Sequence, residues 1–333
     1  MHPLPEQPAP AGHAPAGAYL HSYLAPLQPW LQRDDVSEIL VNRPGELWIE
    51  RAGADAMQRV AVPQLDATWL RRLAEQIARA SHQGVNREWP LLAATLPDAS
   101  RVQVVAPPAT RGDAHVLAIR RHRVQHIALD AYAAPGGAIA PAEPLAIDPA
   151  DPVGTLRRAV AARATVLVSG GTSSGKTTFL NALLRELPAG ERVVLVEDTP
   201  ELRLPGPNGL GLVAVKGALG EARLTTHDLL QAALRLRPDR IVVGELRGEE
   251  AVSFLRAVNT GHPGSFSTIH ANSPAGALEQ LALMVMQAGL GLSRADTIDY
   301  ACSVVDLVVQ LGRRHGRRGI VQIAATRELR RRP

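Results

Sequence analysis

Hydrophobic and polar positions change rhythm about halfway along the chain. In the first part, Glu38–Asn42 and Leu47–Arg51 are short β-type runs flanking Arg43-Pro44-Gly45-Glu46, and Pro-Gly between two such runs predicts a hairpin. Trp69, Leu70, Leu73, Ala74 and Ile77 share one helical face, and Asp66 stands where it can cap that helix. Two more strand-like runs follow, Ser100–Ala106 and His115–Arg120. A hairpin turning at Thr110–Arg111 sets Arg101 directly opposite Arg120. Like charges so placed are unfavourable unless an anion sits between them.

The second part reads differently. Val166–Val168, Val193–Val196 and Ile241–Val243 are short, wholly apolar runs that alternate with helical patterns. Strands buried on both faces of a parallel sheet have this signature, so the fold class expected here is α/β. The helices are punctuated: Ser273-Pro274 opens one that Gly289 follows, Glu249–Thr260 runs into Gly261, and Thr225 with Asp228 has capping-box spacing. The expected organisation is an N-terminal tail at 1–17, disordered by composition, an α+β domain at 18–128, a Pro/Gly-rich linker at 129–152, and an α/β domain at 153–333.

Composition narrows the class. The 333 residues are 46% hydrophobic and 20% charged, which excludes wholesale disorder. A single cysteine, Cys302, excludes an internal disulfide framework and a Cys-cluster zinc site. No apolar run is long enough to cross a membrane and no basic start precedes an apolar segment, so a cytoplasmic protein is expected. The net charge of +4 is unevenly spread: residues 313–333 hold eight arginines and one Glu, leaving 28 basic against 31 acidic residues elsewhere. That arginine-rich end reads either as a solubilising tail or as a contact for nucleic acid, acidic lipid or a partner.

The strongest chemical signal is Gly170-Gly171-Thr172-Ser173-Ser174-Gly175-Lys176-Thr177, followed by Thr178. It matches the phosphate-loop pattern G-x-x-x-x-G-K-[ST], for which this composition gives roughly 10⁻³ chance matches. It follows the apolar run Thr165–Ser169 and opens the helical stretch Thr177–Leu187. Glycines there let successive N–H groups turn inward around an anion, and the helix N-terminus adds its dipole. Lys176 is placed to reach the β- and γ-phosphates of ATP, and the Thr177 hydroxyl to bind Mg²⁺. Lys176 is also one of only two lysines in the chain. Ser173 stands where a glycine is usual; a left-handed backbone there costs about 1 kcal/mol.

Three later segments carry a resemblance. These are Glu197-Asp198-Thr199-Pro200-Glu201-Leu202, then Ile241-Val242-Val243-Gly244-Glu245-Leu246-Arg247-Gly248, then Thr260-Gly261-His262-Pro263-Gly264 through Thr268-Ile269-His270-Ala271-Asn272. They resemble the Asp box, the atypical Walker B and the His box of the secretion ATPase superfamily. Val36–Trp48, Pro90-Leu91-Leu92 and Arg101–Pro108 resemble the first domain of its VirB-eleven family of type IV secretion. The resemblance implies a RecA-like P-loop NTPase motor domain preceded by a smaller α+β (PAS-like) domain. It implies ATP and Mg²⁺ as cofactors and a homo-hexamer peripheral on the inner membrane. Other type IV secretion ATPases and inner-membrane components are the implied partners.

On that basis Glu245 is expected as the Walker B acid, sharing Mg²⁺ with Thr177, and Glu201 as the group that polarises the attacking water. Glu197, Asp198 and Arg247 support the site, His270 serves as γ-phosphate sensor or subunit contact, and His262 assists. Arg101 and Arg120 close over the phosphates. Glu197 and Asp198 also read as a solvated strand end, and a histidine is more often structural than catalytic. Two rival classes stay open: a DNA translocase or helicase on the same core, favoured by the arginine-rich end, and a slow nucleotide-gated assembly factor. DNA contact is compatible with the sequence but not required by it.

Overall fold

The computed structural model describes residues 16–122, 145–215, 220–314 and 316–329. Residues 1–15, 123–144, 216–219, 315 and 330–333 lie outside that set, and with them most of the expected N-terminal tail and linker and the last arginines of the expected C-terminal tail.

The N-terminal half begins with two helices, α1 (Ala16–Leu24) and α2 (Gln28–Leu31). Strands β1 (Val36–Val41), β2 (Glu46–Arg51) and β3 (Gln58–Ala61) follow, then α3 (Ala67–Ala80), β4 (Leu91–Thr95), β5 (Arg101–Val105) and β6 (Val116–Arg120). The strands form one sheet in the order β3-β2-β1-β6-β5-β4, antiparallel throughout. The β1–β2 hairpin turns at Gly45, whose φ is +84°, and Asp66 caps α3 by accepting from the Trp69 N–H. Strands β3 and β4 carry no clear alternation, which is why the pattern did not reveal them.

Both faces of this sheet are buried, and side-chain alternation divides them. Ile39, Val41, Leu47, Ile49, Leu117 and Ile119 pack against α1 and α3. Leu40, Trp48, Val105, Val116 and Ala118 join the core of the C-terminal half. A period of two thus sorts each strand between two hydrophobic cores.

The C-terminal half contains α4 (Pro152–Ala161), β7 (Val166–Ser169), α5 (Lys176–Leu184), β8 (Val193–Glu197), β9 (Leu210–Val213) and α6 (Thr226–Ala233). It continues with β10 (Arg240–Leu246), α7 (Glu250–Asn259), β11 (Phe266–Ile269), α8 (Pro274–Gln287), α9 (Arg294–Val304), β12 (Leu307–Arg314), β13 (Arg317–Ala325) and α10 (Thr326–Leu329). The sheet order is β13-β12-β7-β11-β10-β8-β9, parallel except for the β12–β13 hairpin. The capping box at Thr225 and Asp228 forms in both directions, and Ser273 caps α8 from the Gly276 N–H.

One expectation is corrected here. Residues 313–329 are not a basic tail: Arg313, Arg314, Arg317 and Arg318 belong to the β12–β13 hairpin, which pairs through β12 with β7. The arginines flank Gly312, Gly316 and Gly319, and that mixture hides the alternation of a strand.

A fully buried arginine fastens the two halves. Arg192 donates to the Asn42 Oδ1 at 2.7 Å, to the Asn208 Oδ1 at 2.7 Å and to the Leu236 carbonyl at 2.7 Å. Asn42 belongs to the first hairpin, so this network joins both domains. Burial pulls the Arg192 guanidinium down to about 9 because desolvation penalises its charge.

A row of charges crosses the N-terminal sheet on the face turned toward the C-terminal half. Registration aligns Thr95 with Arg101, Arg101 with Arg120, Arg120 with Glu38, and Glu38 with Glu50. The expected Arg101–Arg120 opposition is therefore present, and Glu38, 3.6 Å from Arg120, offsets part of it. Burial pushes the Glu38 carboxyl up to about 7, against the opposing pull of Arg120, Arg237 and Arg192 and with the help of Glu50. A raised value means the folded state holds the proton more tightly. Its contribution to stability is full below the unfolded value of 4.5 and is lost as pH rises through about 7. The swing is on the order of 3 kcal/mol. Glu38→Gln is expected to remove it: between pH 5 and pH 8 the urea midpoint of the wild type falls further than that of the variant. Parallel falls would overturn the assignment.

Candidate functional site

The carboxyl edge of the parallel sheet gathers the phosphate loop after β7, the Asp box after β8, Glu245 near the end of β10 and His270 after β11. They line one cavity of about 710 Å³ with Gly171–Thr178, Glu197, Asp198, Glu201, Arg247, His270 and Arg318. Cavities of this size accept a nucleotide-sized ligand.

Local backbone demands explain the loop. A Cβ on Gly170 would stand 2.3 Å from the Ser174 Oγ and 3.2 Å from the Leu311 carbonyl. Gly175 precedes α5 with φ +92°, a conformation that favours glycine. Ser173 does adopt the left-handed region, at φ +60°.

Lys176 lies 11% exposed on the loop. Its Nζ donates to the Gly170 carbonyl at 3.0 Å, faces the His270 Nδ1 at 3.3 Å and pairs with Glu245 at 3.5 Å. A lysine donating to Nδ1 leaves the ring proton on Nε2, which faces the Thr172 hydroxyl at 3.5 Å. Glu245 also pairs with Arg247, which reaches Asp198 at 3.8 Å. Asp198 accepts from the Thr226 hydroxyl at 2.8 Å.

Glu197 and Glu201 have different surroundings. Glu197 is 3% exposed, accepts the N–H groups of Glu201 and Leu202 at 2.9 and 2.8 Å, and forms an ion pair with Arg111. It fixes the course of the Asp box. Glu201 is exposed, and its carboxylate has no partner among the described residues.

Two arginines that the motifs did not mark reach this edge. Arg111, on the turn of the β5–β6 hairpin, donates to the Leu202 carbonyl at 2.7 Å. The turn is held there by the Thr110–Leu212 bridge and by the Val213 N–H to the Ala109 carbonyl at 2.9 Å. Arg318, on β13, packs its Cδ 3.2 Å from where a Cβ on Gly175 would be. For Arg111 the signal was the hairpin turn itself. For Arg318 it was the run Gly319–Ala325, which continues as a strand.

Gly170 lies just behind the lining of this cavity, and three expected side chains are far from it. Arg101, Arg120 and His262 line a second one, of about 860 Å³, with Glu38, Glu50, Arg163, Arg237 and Asp239. Arg163, Asp239 and His262 precede β7, β10 and β11, so this cavity lies at the amino edge of the parallel sheet. The β5–β6 hairpin spans the sheet, with Arg111 at one end and Arg101 and Arg120 at the other. The seven residues of β10 separate the two edges by about 20 Å. Within one chain, therefore, Arg101 and Arg120 do not meet the phosphate loop. His262 buries both ring nitrogens there without a hydrogen bond among the described residues, and burial lowers its pKa.

The chain is similar to known proteins over most of its length. The family model described as "Type II/IV secretion system protein" matches residues 22–330. The chain is 41% identical to the type IV secretion system protein PtlH homolog of Bordetella bronchiseptica, covering 90% of this chain and 93% of the relative. It is 33% identical to the type IV secretion system protein VirB11 of Bartonella quintana, covering 90% and 91%. The crystal structure of the VirB11 ATPase from the Brucella suis type IV secretion system, in complex with sulphate, superposes with a TM-score of 0.84 at 34% identity, covering 95% of this chain and 97% of that one.

Proposed function

The chain belongs to the type II/IV secretion system protein family, and from that membership we infer that it is a hexameric ATPase. It hydrolyses ATP to power substrate transfer and apparatus assembly in a bacterial type IV secretion system. The observation that carries the catalytic reading is the meeting of Lys176, Thr177, Glu201, Glu245 and His270 around one cavity.

Phosphoryl transfer to water needs alignment, charge neutralisation and an oriented nucleophile. Lys176 exchanges the Gly170 carbonyl and Glu245 for the β- and γ-phosphates. The Thr177 hydroxyl and the Glu245 carboxylate are hard oxygen donors in the same cavity, and Mg²⁺ prefers one or two such groups beside substrate phosphates and water. They would hold it; bound there, it neutralises charge on the phosphates. Glu201, unpartnered and exposed to the cavity, orients the attacking water and accepts its proton. Glu197, clamped by Arg111, holds the Asp box in place. His270, between Lys176 and Thr172, senses the γ-phosphate as Lys176 turns toward it. Arg101 and Arg120 serve a nucleotide held by another copy of the chain, because their own loop is a sheet-width away.

The assembly reading places the ring at the cytoplasmic face of the inner membrane, beside other secretion ATPases and inner-membrane components. No helix among the described residues is long and apolar enough to cross a membrane. The test is steady-state Mg²⁺-ATP hydrolysis with and without single-stranded DNA, with Lys176→Ala as blank. Turnover that DNA leaves unchanged is expected. Strong, salt-sensitive stimulation by DNA would replace this reading with a translocase.

A further inference from the structure

The lysine and arginine side chains lining the phosphate-loop cavity are Lys176, Arg247 and Arg318. Lys176 is engaged by Glu245 and the Gly170 carbonyl. Arg247 is engaged by Glu245 and Asp198. Arg318 lines the same cavity and makes no ion pair or hydrogen bond among the described residues. A guanidinium left unpaired beside a phosphate loop is chemically matched to an anion.

Its placement follows from register. Strand β12 pairs with β7 from Leu307 against Val166 to Gln310 against Ser169. It therefore runs on past the point where β7 gives way to the loop, and the Leu311 carbonyl closes against Gly170. The chain returns in β13 with Arg318 opposite Arg313. The aliphatic stem of Arg318 then lies over Gly175, the residue that opens α5. That end of a phosphate loop cradles the α- and β-phosphates, whereas the γ-phosphate lies toward the lysine tip. Here the lysine tip is marked by Glu245 and His270, with neither of which Arg318 makes an ion pair or hydrogen bond among the described residues.

We propose that Arg318 is a nucleotide-binding residue supplied by the C-terminal hairpin, closing in cis over the α- and β-phosphates of bound ATP and ADP. This rests on the phosphate loop being the nucleotide site, as argued above. A residue in that position holds the diphosphate in both nucleotides. It acts on retention of nucleotide rather than on cleavage, and it gives part of the arginine-rich end a local role that requires no nucleic acid.

The experiment measures affinities of the full chain for Mg²⁺-ATP, Mg²⁺-ADP and inorganic pyrophosphate, the last by competition, for wild type, Arg318→Ala, Arg318→Lys and Lys176→Ala. Arg318→Ala is expected to weaken all three ligands by a similar factor of about tenfold, with kcat at saturating ATP changed less than threefold. Arg318→Lys recovers part of the loss, since it keeps the charge without the planar fork. Arg318 is exposed, and an unchanged circular dichroism spectrum together with partial recovery in the lysine variant separates a lost contact from misfolding. Three outcomes would overturn the proposal: unchanged affinities, a loss confined to ATP or to kcat, or weakened ADP with pyrophosphate unaffected, which would place the guanidinium on the base. Should the wild type itself bind no nucleotide, the reading of the loop fails as well. Should Lys176→Ala lose binding while Arg318→Ala keeps it, only the present proposal fails.

Discussion

Lys176→Ala is expected to lower steady-state ATP hydrolysis by about 10³-fold and to weaken ATP binding, without unfolding the protein. The ammonium is the cation that the loop itself supplies at the γ-phosphate end of the cavity. Its present partners, the Gly170 carbonyl, His270 and Glu245, are groups it can leave when a phosphate arrives. The ion pair with Glu245 involves side chains 11% and 20% exposed. Glu245 retains Arg247 after the change, so the carboxylate is not left without a cation. Glu245→Gln makes an informative contrast. It removes a negative charge next to the phosphates and a proposed Mg²⁺ ligand but leaves the lysine in place. Turnover is then expected to fall by about 10²-fold while ATP is bound within a few-fold of wild type. Measuring kcat and ATP affinity separately for the two variants checks both roles. Equal losses in both parameters for both variants would show that Lys176 and Glu245 act as one electrostatic unit rather than as phosphate anchor and metal-side acid.

These residues were legible because their chemistry is local. A phosphate loop is a contiguous stretch with its own backbone demands, and Gly170 and Gly175 meet them through close approach and a left-handed φ. The buried strands β7, β8 and β10 showed themselves because parallel strands covered on both faces are uniformly apolar. The caps at Asp66, Thr225 and Ser273 involve neighbours three residues away and are readable for the same reason. Even the opposition of Arg101 and Arg120 followed from counting residues about a turn.

What the sequence withheld depends on how distant segments pack. Arg111 and Arg318 reach groups distant in sequence, Leu202 and Gly175, and no motif marks them. The edge on which Arg101 and Arg120 lie is set by how one domain rests on the other, fixed by Arg192, Asn42 and Asn208. A strand register says which residues face each other. It does not say which end of another sheet they reach.

That placement leads to the second large effect. If Arg101 acts on a nucleotide, the nucleotide belongs to another copy, and each site in a ring combines the loop of one subunit with the arginines of its neighbour. Arg101→Ala and Lys176→Ala should each be nearly inactive alone. A ring is built from heterologous contacts in which every subunit offers both faces, one to each neighbour. In rings assembled from an equal mixture, the loop is intact in half of the subunits and the arginine in the other half. Random assembly then restores about one quarter of the wild-type sites. A mixture of two dead variants should therefore hydrolyse ATP at about that fraction of the wild-type rate, far above the sum of the separate activities. Sites closed within one chain would give only that sum, because no subunit in the mixture carries both residues. The control is the double variant mixed with wild type, in which fully intact subunits are present and activity persists under either geometry. Recovery from the two single variants thus measures whether the roughly 20 Å between the two edges of the parallel sheet is bridged by a neighbour, and an absence of recovery would return the arginines to a purely structural place in the charge row with Glu38 and Glu50.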